Sequence, residues 1–209
     1  MLQRRKYPRE IRTHAVLGLF AAALAAGCGG GSTPQSEPPA AGTTTASTPA
    51  TTTTTATNPL PGAGTSIVVA TTTAKGTALL ERVAIGRHEG FDRVVFQFRG
   101  EGLPSYRIQY TEPPFAEDGS GNPVEVNGNA FVTVRMEPAS GFDLNTGEGE
   151  LVYKGPKRLE GAGSIVKEVV RTGDFEAVLS WVIGLDAKVP FLVTRTESPS
   201  RLIVDFRSA

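Results

Sequence analysis

Four arginines, Arg93, Arg107, Arg135 and Arg195, fall at alternating positions in short apolar-polar segments. A guanidinium presents a planar fork of donors that grips a carboxylate through two parallel hydrogen bonds. On outward strand faces, such residues would suit a carboxylate-bearing polymer. Tyr106 and Tyr110 share one face of an alternating segment, and Trp181 lies on another strand; aromatic faces suit sugar rings. The plainer alternative is a solvated sheet face with Arg–Glu cross-strand pairs and the aromatics in the core. His88 lies between Gly86 and Gly90, with Arg87, Glu89 and Asp92 nearby. It either touches a ligand at one end of the domain or belongs to a hairpin whose polar groups cap their own backbone.

Other chemistries find little material. The chain has one cysteine, Cys28, and two histidines, His14 and His88. That excludes a disulfide framework and a multi-thiolate zinc site. No nucleophile elbow occurs, since Gly119-Ser120-Gly121 is one residue too tight. Asp118 to Asn122 alternates oxygen ligands as calcium loops do. Pro123 and Asn129, however, stand where an EF-hand loop needs Gly and Glu, so no metal site is expected. Lys+Arg and Asp+Glu number 21 each, and this balance argues against nucleic-acid binding. Catalysis and cofactors are not expected. Residues 75–209 carry 16 bases and 19 acids, a mildly acidic segment behind a basic N-terminus.

The N-terminus reads as an address. Five basic residues end at Arg12, and an apolar run follows from Ala15 to Ala26, broken only by Gly18. Twelve residues are too few to span a bilayer, which takes about 20. They match the core of a signal peptide. Leu24-Ala25-Ala26-Gly27-Cys28 resembles the end of bacterial lipoprotein signal sequences, although Leu is more usual where Ala25 stands. That resemblance implies a signal peptide over 1–27 and a lipid on Cys28. The protein would then be membrane-anchored on the extracytoplasmic face.

Residues 28–74 hold fifteen Thr, six Pro and no aromatic residue. Such a stretch cannot bury enough apolar surface to offset the entropy of ordering, so a disordered tether is expected. As a coil it spans roughly 35–40 Å. Ile67-Val68-Val69 is the one place in it where an additional edge strand could form.

Residues 75–209 read as an all-β domain, an antiparallel sandwich or partly closed barrel of about eight short strands. Strand signals mark Leu79–Ile85, Phe91–Phe98, Tyr106–Tyr110, Val124–Val126, Phe131–Met136, Ile165–Arg171, Phe175–Val182, Phe191–Glu197 and Leu202–Phe206, with Leu151–Tyr153 as one further short strand the pattern allows. Leu79, Val83 and Ile85 are expected to point inward together. Turns are expected at Asn127-Gly128, Thr172-Gly173-Asp174 and Ser198-Pro199.

Four segments carry a specific resemblance. They are Gly86-Arg87-His88-Glu89-Gly90-Phe91-Asp92-Arg93-Val94-Val95-Phe96, Pro104 to Tyr110, Gly173 to Trp181, and Pro199-Ser200-Arg201-Leu202-Ile203-Val204-Asp205-Phe206. Together they resemble the AMIN-like domain of actinobacterial lipoproteins, across residues 78–207. The last segment is also similar to the AMIN domains of cell-wall amidases and secretins, which are all-β and non-catalytic. The resemblance implies a wall-associated module that binds peptidoglycan, and it transfers no site residues. Two alternatives are a docking module that recruits an envelope protein by an exposed edge strand, and a carrier of a small apolar ligand between its sheets.

Overall fold

Two sheets, antiparallel in all their long strands, face each other, and their inner residues interlock as the alternation requires. The structure is a computed structural model that describes residues 58–71 and 75–208. The expected signal peptide, the expected lipidation site Cys28, and the expected tether as far as residue 57 and at 72–74 lie outside the described residues. The strands are β1 (Val68–Ala70), β2 (Ala78–His88), β3 (Phe91–Arg99), β4 (Ser105–Thr111), β5 (Phe115–Ala116), β6 (Pro123–Val124), β7 (Ala130–Glu137) and β8 (Ala139–Ser140). They continue with β9 (Phe142–Asp143), β10 (Glu150–Leu151), β11 (Arg158–Glu160), β12 (Val166–Phe175), β13 (Val178–Leu185), β14 (Phe191–Glu197) and β15 (Ser200–Arg207). Eight have seven residues or more and match eight of the expected segments; the expected Val124–Val126 strand is reduced to β6, and the other short strands lie at sheet edges or in loops.

One sheet runs β14-β15-β3-β2-β8 and the other β1-β4-β7-β13-β12-β11. Between them lie Trp181, Phe96, Phe98, Phe206, Leu80 and Met136, all essentially without solvent contact. Trp181 meets the Phe96 ring at 5.8 Å and the Tyr153 ring at 5.6 Å, both edge-on. The space an apolar cargo would need is thus filled by side chains.

Three expectations are corrected by backbone irregularities. Leu80, not Leu79, is buried with Val83, because a bulge between Leu80 and Arg82 inserts one residue and reverses the phase. The β12–β13 turn is Glu176-Ala177, both at positive φ as a tight hairpin demands. Thr172 to Asp174 instead lie within β12, beside a second bulge. Asn127-Gly128 is no hairpin turn, since Val124 pairs with Phe115 and β7 pairs with β4 and β13. The 112–128 segment crosses the outer face of β12 and β13, where glycines make room. A Cβ on Gly184 would lie 1.9 Å from the Asn127 carbonyl oxygen. Glu168, buried beneath this segment, accepts the Asn127 N–H and pairs with Arg158 at 2.5 Å.

Residues 58–71 depart from the disordered tether expected there, and the edge strand that Ile67-Val68-Val69 allowed forms as β1. Leu60 is buried, Gly64 bridges Phe191 on β14, and β1 pairs with β4. The arm therefore joins the edges of the two sheets. On the same side the Tyr110 hydroxyl donates to the Val189 carbonyl at 2.6 Å and accepts the Val189 N–H. On the opposite side Asp92 of β3 accepts the N–H groups of Ile165 and Val166, at 2.8 and 3.0 Å, and so pins the entry of β12.

Burial pushes the Tyr110 hydroxyl above its ordinary value of 10.0, against the opposing effect of its bond to Val189. Burial raises Tyr153 in the same way. Both hydroxyls then ionise later in the fold than in the unfolded chain. Their contribution is complete below the ordinary value and is lost as pH rises through the folded one. Stability is expected to hold near neutrality and fall above about pH 10, with phenolate absorbance appearing alongside unfolding in an alkaline titration.

Candidate functional site

The four arginines do not form one face. Arg107 of β4 and Arg135 of β7 are register partners on the outer side of the six-stranded sheet. Arg93 lies on the outer side of the other sheet. Arg195 departs from the outward placement read from sequence. It is the register partner of buried Leu202, so it lies on the core-facing side of β14, in phase with Phe191. It is exposed, on the edge strand of the sheet.

Arg93 is committed to structure. Its Nε and Nη2 donate to the two oxygens of Asp205 at 2.7 and 2.8 Å, and Asp205 is buried. This bidentate pair holds the Arg93 guanidinium above its usual range, through the hydrogen bond first. The His88 ring stacks on Phe91 at 4.7 Å, and the Arg93 guanidinium sits 5.3 Å from the same ring. His88 is the last residue of β2, and the turn proper is Glu89-Gly90. Asp92, read from sequence as a neighbour of His88, points to the opposite face and into the core. Its phase with Val94, Phe96 and Phe98 already implied as much.

Tyr106 and Tyr110 share a face, but it is the inner one. Tyr106 belongs to the core, Tyr110 packs against it, and Trp181 is fully enclosed. None of the three lies on the outer face with Arg107 and Arg135, so the expected aromatic and cationic groove does not form.

What the outer face of β4 and β7 does present is polar and cationic. Ser105, Arg107, Gln109 and Thr111 alternate outward on β4, opposite Glu137, Arg135, Thr133 and Phe131 on β7. The Thr111 and Thr133 hydroxyls bond each other at 2.7 Å. Exposed Val69 of β1 extends the row beside Arg107. The β5–β6 hairpin bounds the face, with Phe115 edge-on to Phe131 at 5.2 Å.

Directly opposed residues in an antiparallel pair have Cβ atoms about 4.5–5.5 Å apart, and like charges so placed repel. Arg107 forms no ion pair among the described residues and donates only to Gln109, at 3.3 Å. Arg135 meets Glu137 at 3.3 Å, but both are about half exposed. Such a surface pair contributes little. Two adjacent guanidiniums thus keep most of their donors turned outward, and an incoming carboxylate would relieve their repulsion. Gln109 and Thr133 complete this polar row and were not singled out from sequence. The pairing of β4 with β7, on which their proximity depends, is a long-range contact. Among the described residues no group of three or more His, Cys, Asp or Glu is placed to hold a metal ion.

A family model described as the AMIN-like domain matches residues 78–208, more than half of the chain. No curated protein and no solved structure matches the chain.

Proposed function

The chain belongs to the AMIN-like domain family, and from that premise we propose that it is a non-catalytic, envelope-associated module that binds carboxylate-bearing cell-wall polymer, peptidoglycan above all. The observation that carries this reading is the in-register pair Arg107 and Arg135, opposed like charges left without a buried counterion on an open sheet face. The stem peptides of peptidoglycan supply carboxylates of the kind two adjacent guanidiniums bind. Sugar stacking has no part in this reading, because the tyrosines and Trp181 face inward.

The N-terminal reading completes the proposal. A lipid on Cys28 holds the protein at the membrane on the extracytoplasmic face, and the Thr-rich segment lets the domain reach outward. Cys28→Ala is expected to move the protein from the membrane fraction to the medium. Retention in the membrane would refute the anchor.

The binding test is co-sedimentation of the purified chain carrying Cys28→Ala with insoluble peptidoglycan. Sedimentation should weaken as salt rises, since exposed charges are screened. Hydrogen bonds to charged groups are each worth about 1.5–3 kcal/mol, so Arg107→Gln with Arg135→Gln should cost about tenfold or more in affinity. Arg195→Gln, away from this face, should leave binding unchanged. No sedimentation at low salt, or equal loss in the Arg195 variant, would overturn the assignment.

A further inference from the structure

The five-stranded sheet ends on an edge that is almost bare. β8 pairs with β2 only at Ala78 and Leu79, in parallel. From Glu81 to His88, β2 has β3 on one side and no strand on the other among the described residues. Alternate N–H and C=O groups of an edge strand point away from its one neighbour and can pair with an added chain. Natural edges are commonly blunted by bulges and charge, and β2 has both. Here a second wall stands beside the edge. The segment Val152–Pro156 faces the first part of it, Glu81–Val83, across a groove of about 370 Å³. That wall is anchored, because Tyr153 is buried against Trp181 and donates its hydroxyl to Pro156 at 2.9 Å.

The groove is predominantly cationic. Arg82, Arg99 and Lys154 line it, together with Glu81. Arg99 is held by Glu150 through two bonds of 3.0 and 3.1 Å. Arg82 and Lys154 form no ion pair among the described residues. Arg82 pairs in register with Gln97, and Arg99 with Leu79. Both arginines therefore project to the outer side of the sheet, where every second side chain of an added strand would also project.

We propose that the open edge of β2 and the Val152–Pro156 wall form a docking groove for an extended acidic peptide segment of a partner protein, bound by strand addition. The main chain of the segment pairs with the free edge between Glu81 and His88. Carboxylates at alternate positions meet Arg82 and Lys154, and polar or small residues between them face the Val83 side. This is the recognition mode in which main-chain bonds give affinity and alternate side chains give specificity. It is independent of the Arg107 and Arg135 face, which lies on the other sheet.

The test is nuclear magnetic resonance of the isotope-labelled chain titrated with a synthetic heptapeptide of alternating Glu and Thr. A peptide of alternating Gln and Thr serves as the neutral probe. The expected result is shifts confined to 81–88 and 152–156, slowed exchange of the edge amides, and binding at least tenfold weaker for the neutral peptide. Arg82→Gln with Lys154→Gln should weaken the acidic peptide to the same degree. Both side chains are exposed, so the fold is retained, and unchanged shifts of the Trp181 indole verify it. Equal binding of the two peptides, shifts centred on Arg107 and Arg135, or no shifts at millimolar peptide would each overturn the proposal.

Discussion

Replacing Asp92 with alanine is expected to destabilise the domain by about 2–6 kcal/mol, because two buried N–H groups lose their acceptor at roughly 1–3 kcal/mol each. One carboxylate oxygen accepts from both Ile165 and Val166, while the other is buried without a partner. The contact joins β3 of one sheet to the start of β12 in the other. Gly163 packs so closely that a Cβ there would lie within 2.0 Å of the carboxylate. Asp92 is therefore a latch between the sheets, and no ion pair among the described residues compensates its charge. Asp92→Asn keeps one carbonyl oxygen for both N–H groups and removes that charge but buries an NH2 without an acceptor, so it should cost about 1–3 kcal/mol, less than alanine. Urea unfolding of the two variants decides the matter. If Asn is as damaging as Ala, acceptance of the two N–H groups is not what the residue supplies.

Trp181→Ala should cost about 3–5 kcal/mol, the usual penalty for deleting a fully buried large aromatic. The indole fills the centre of the inter-sheet space against Phe96 and Tyr153. Its Nε1 is buried without a hydrogen-bond partner. Trp181→Phe removes that orphan donor while leaving a smaller cavity, so the two effects oppose and the loss should be well under half that of alanine. Trp181 is the single tryptophan of the chain, so the native protein itself reports unfolding by fluorescence. The variants need circular dichroism instead. Equal losses in the Phe and Ala variants would mean that the indole is held by something other than packing.

Local alternation was enough to read β3 and β15 and the extent of β14, although the outward placement of Arg195 goes against its phase with Phe191 and Val193. Asp92, Val94, Phe96 and Phe98 repeat with period 2, as do Phe191 and Val193 against Leu202, Val204 and Phe206. The class of the domain, its eight long strands, its inward aromatics and the Ser198-Pro199 turn all follow from that period. Side-chain direction on a regular strand depends only on residue parity. Parity fails wherever the backbone takes an extra residue. The bulge beside Glu81 exchanges Leu79 for Leu80, and a second lies between Arg171 and Gly173, inside the strand that runs on to the Glu176-Ala177 turn. The residue types around Glu81 do not announce a bulge; at the second, Gly173 is the one local signal.

The candidate sites depended on tertiary structure still more. That Arg107 and Arg135 stand side by side while Arg93 and Arg195 lie on the other sheet is decided by which strands pair. Pairing is set by contacts far apart in the chain. The same holds for Asn127-Gly128, whose residue types suit a hairpin turn but whose backbone crosses the outer face where Gly184 and Glu168 receive it. It holds in part for the 58–71 arm, whose Ile67-Val68-Val69 run allows an edge strand but whose seat on the edges of β4 and β14 is a long-range contact. Sequence by itself determined the period, and hence the class and the core. Only the fold decided which outward residues meet, because outward residues are free of the burial that makes a pattern legible.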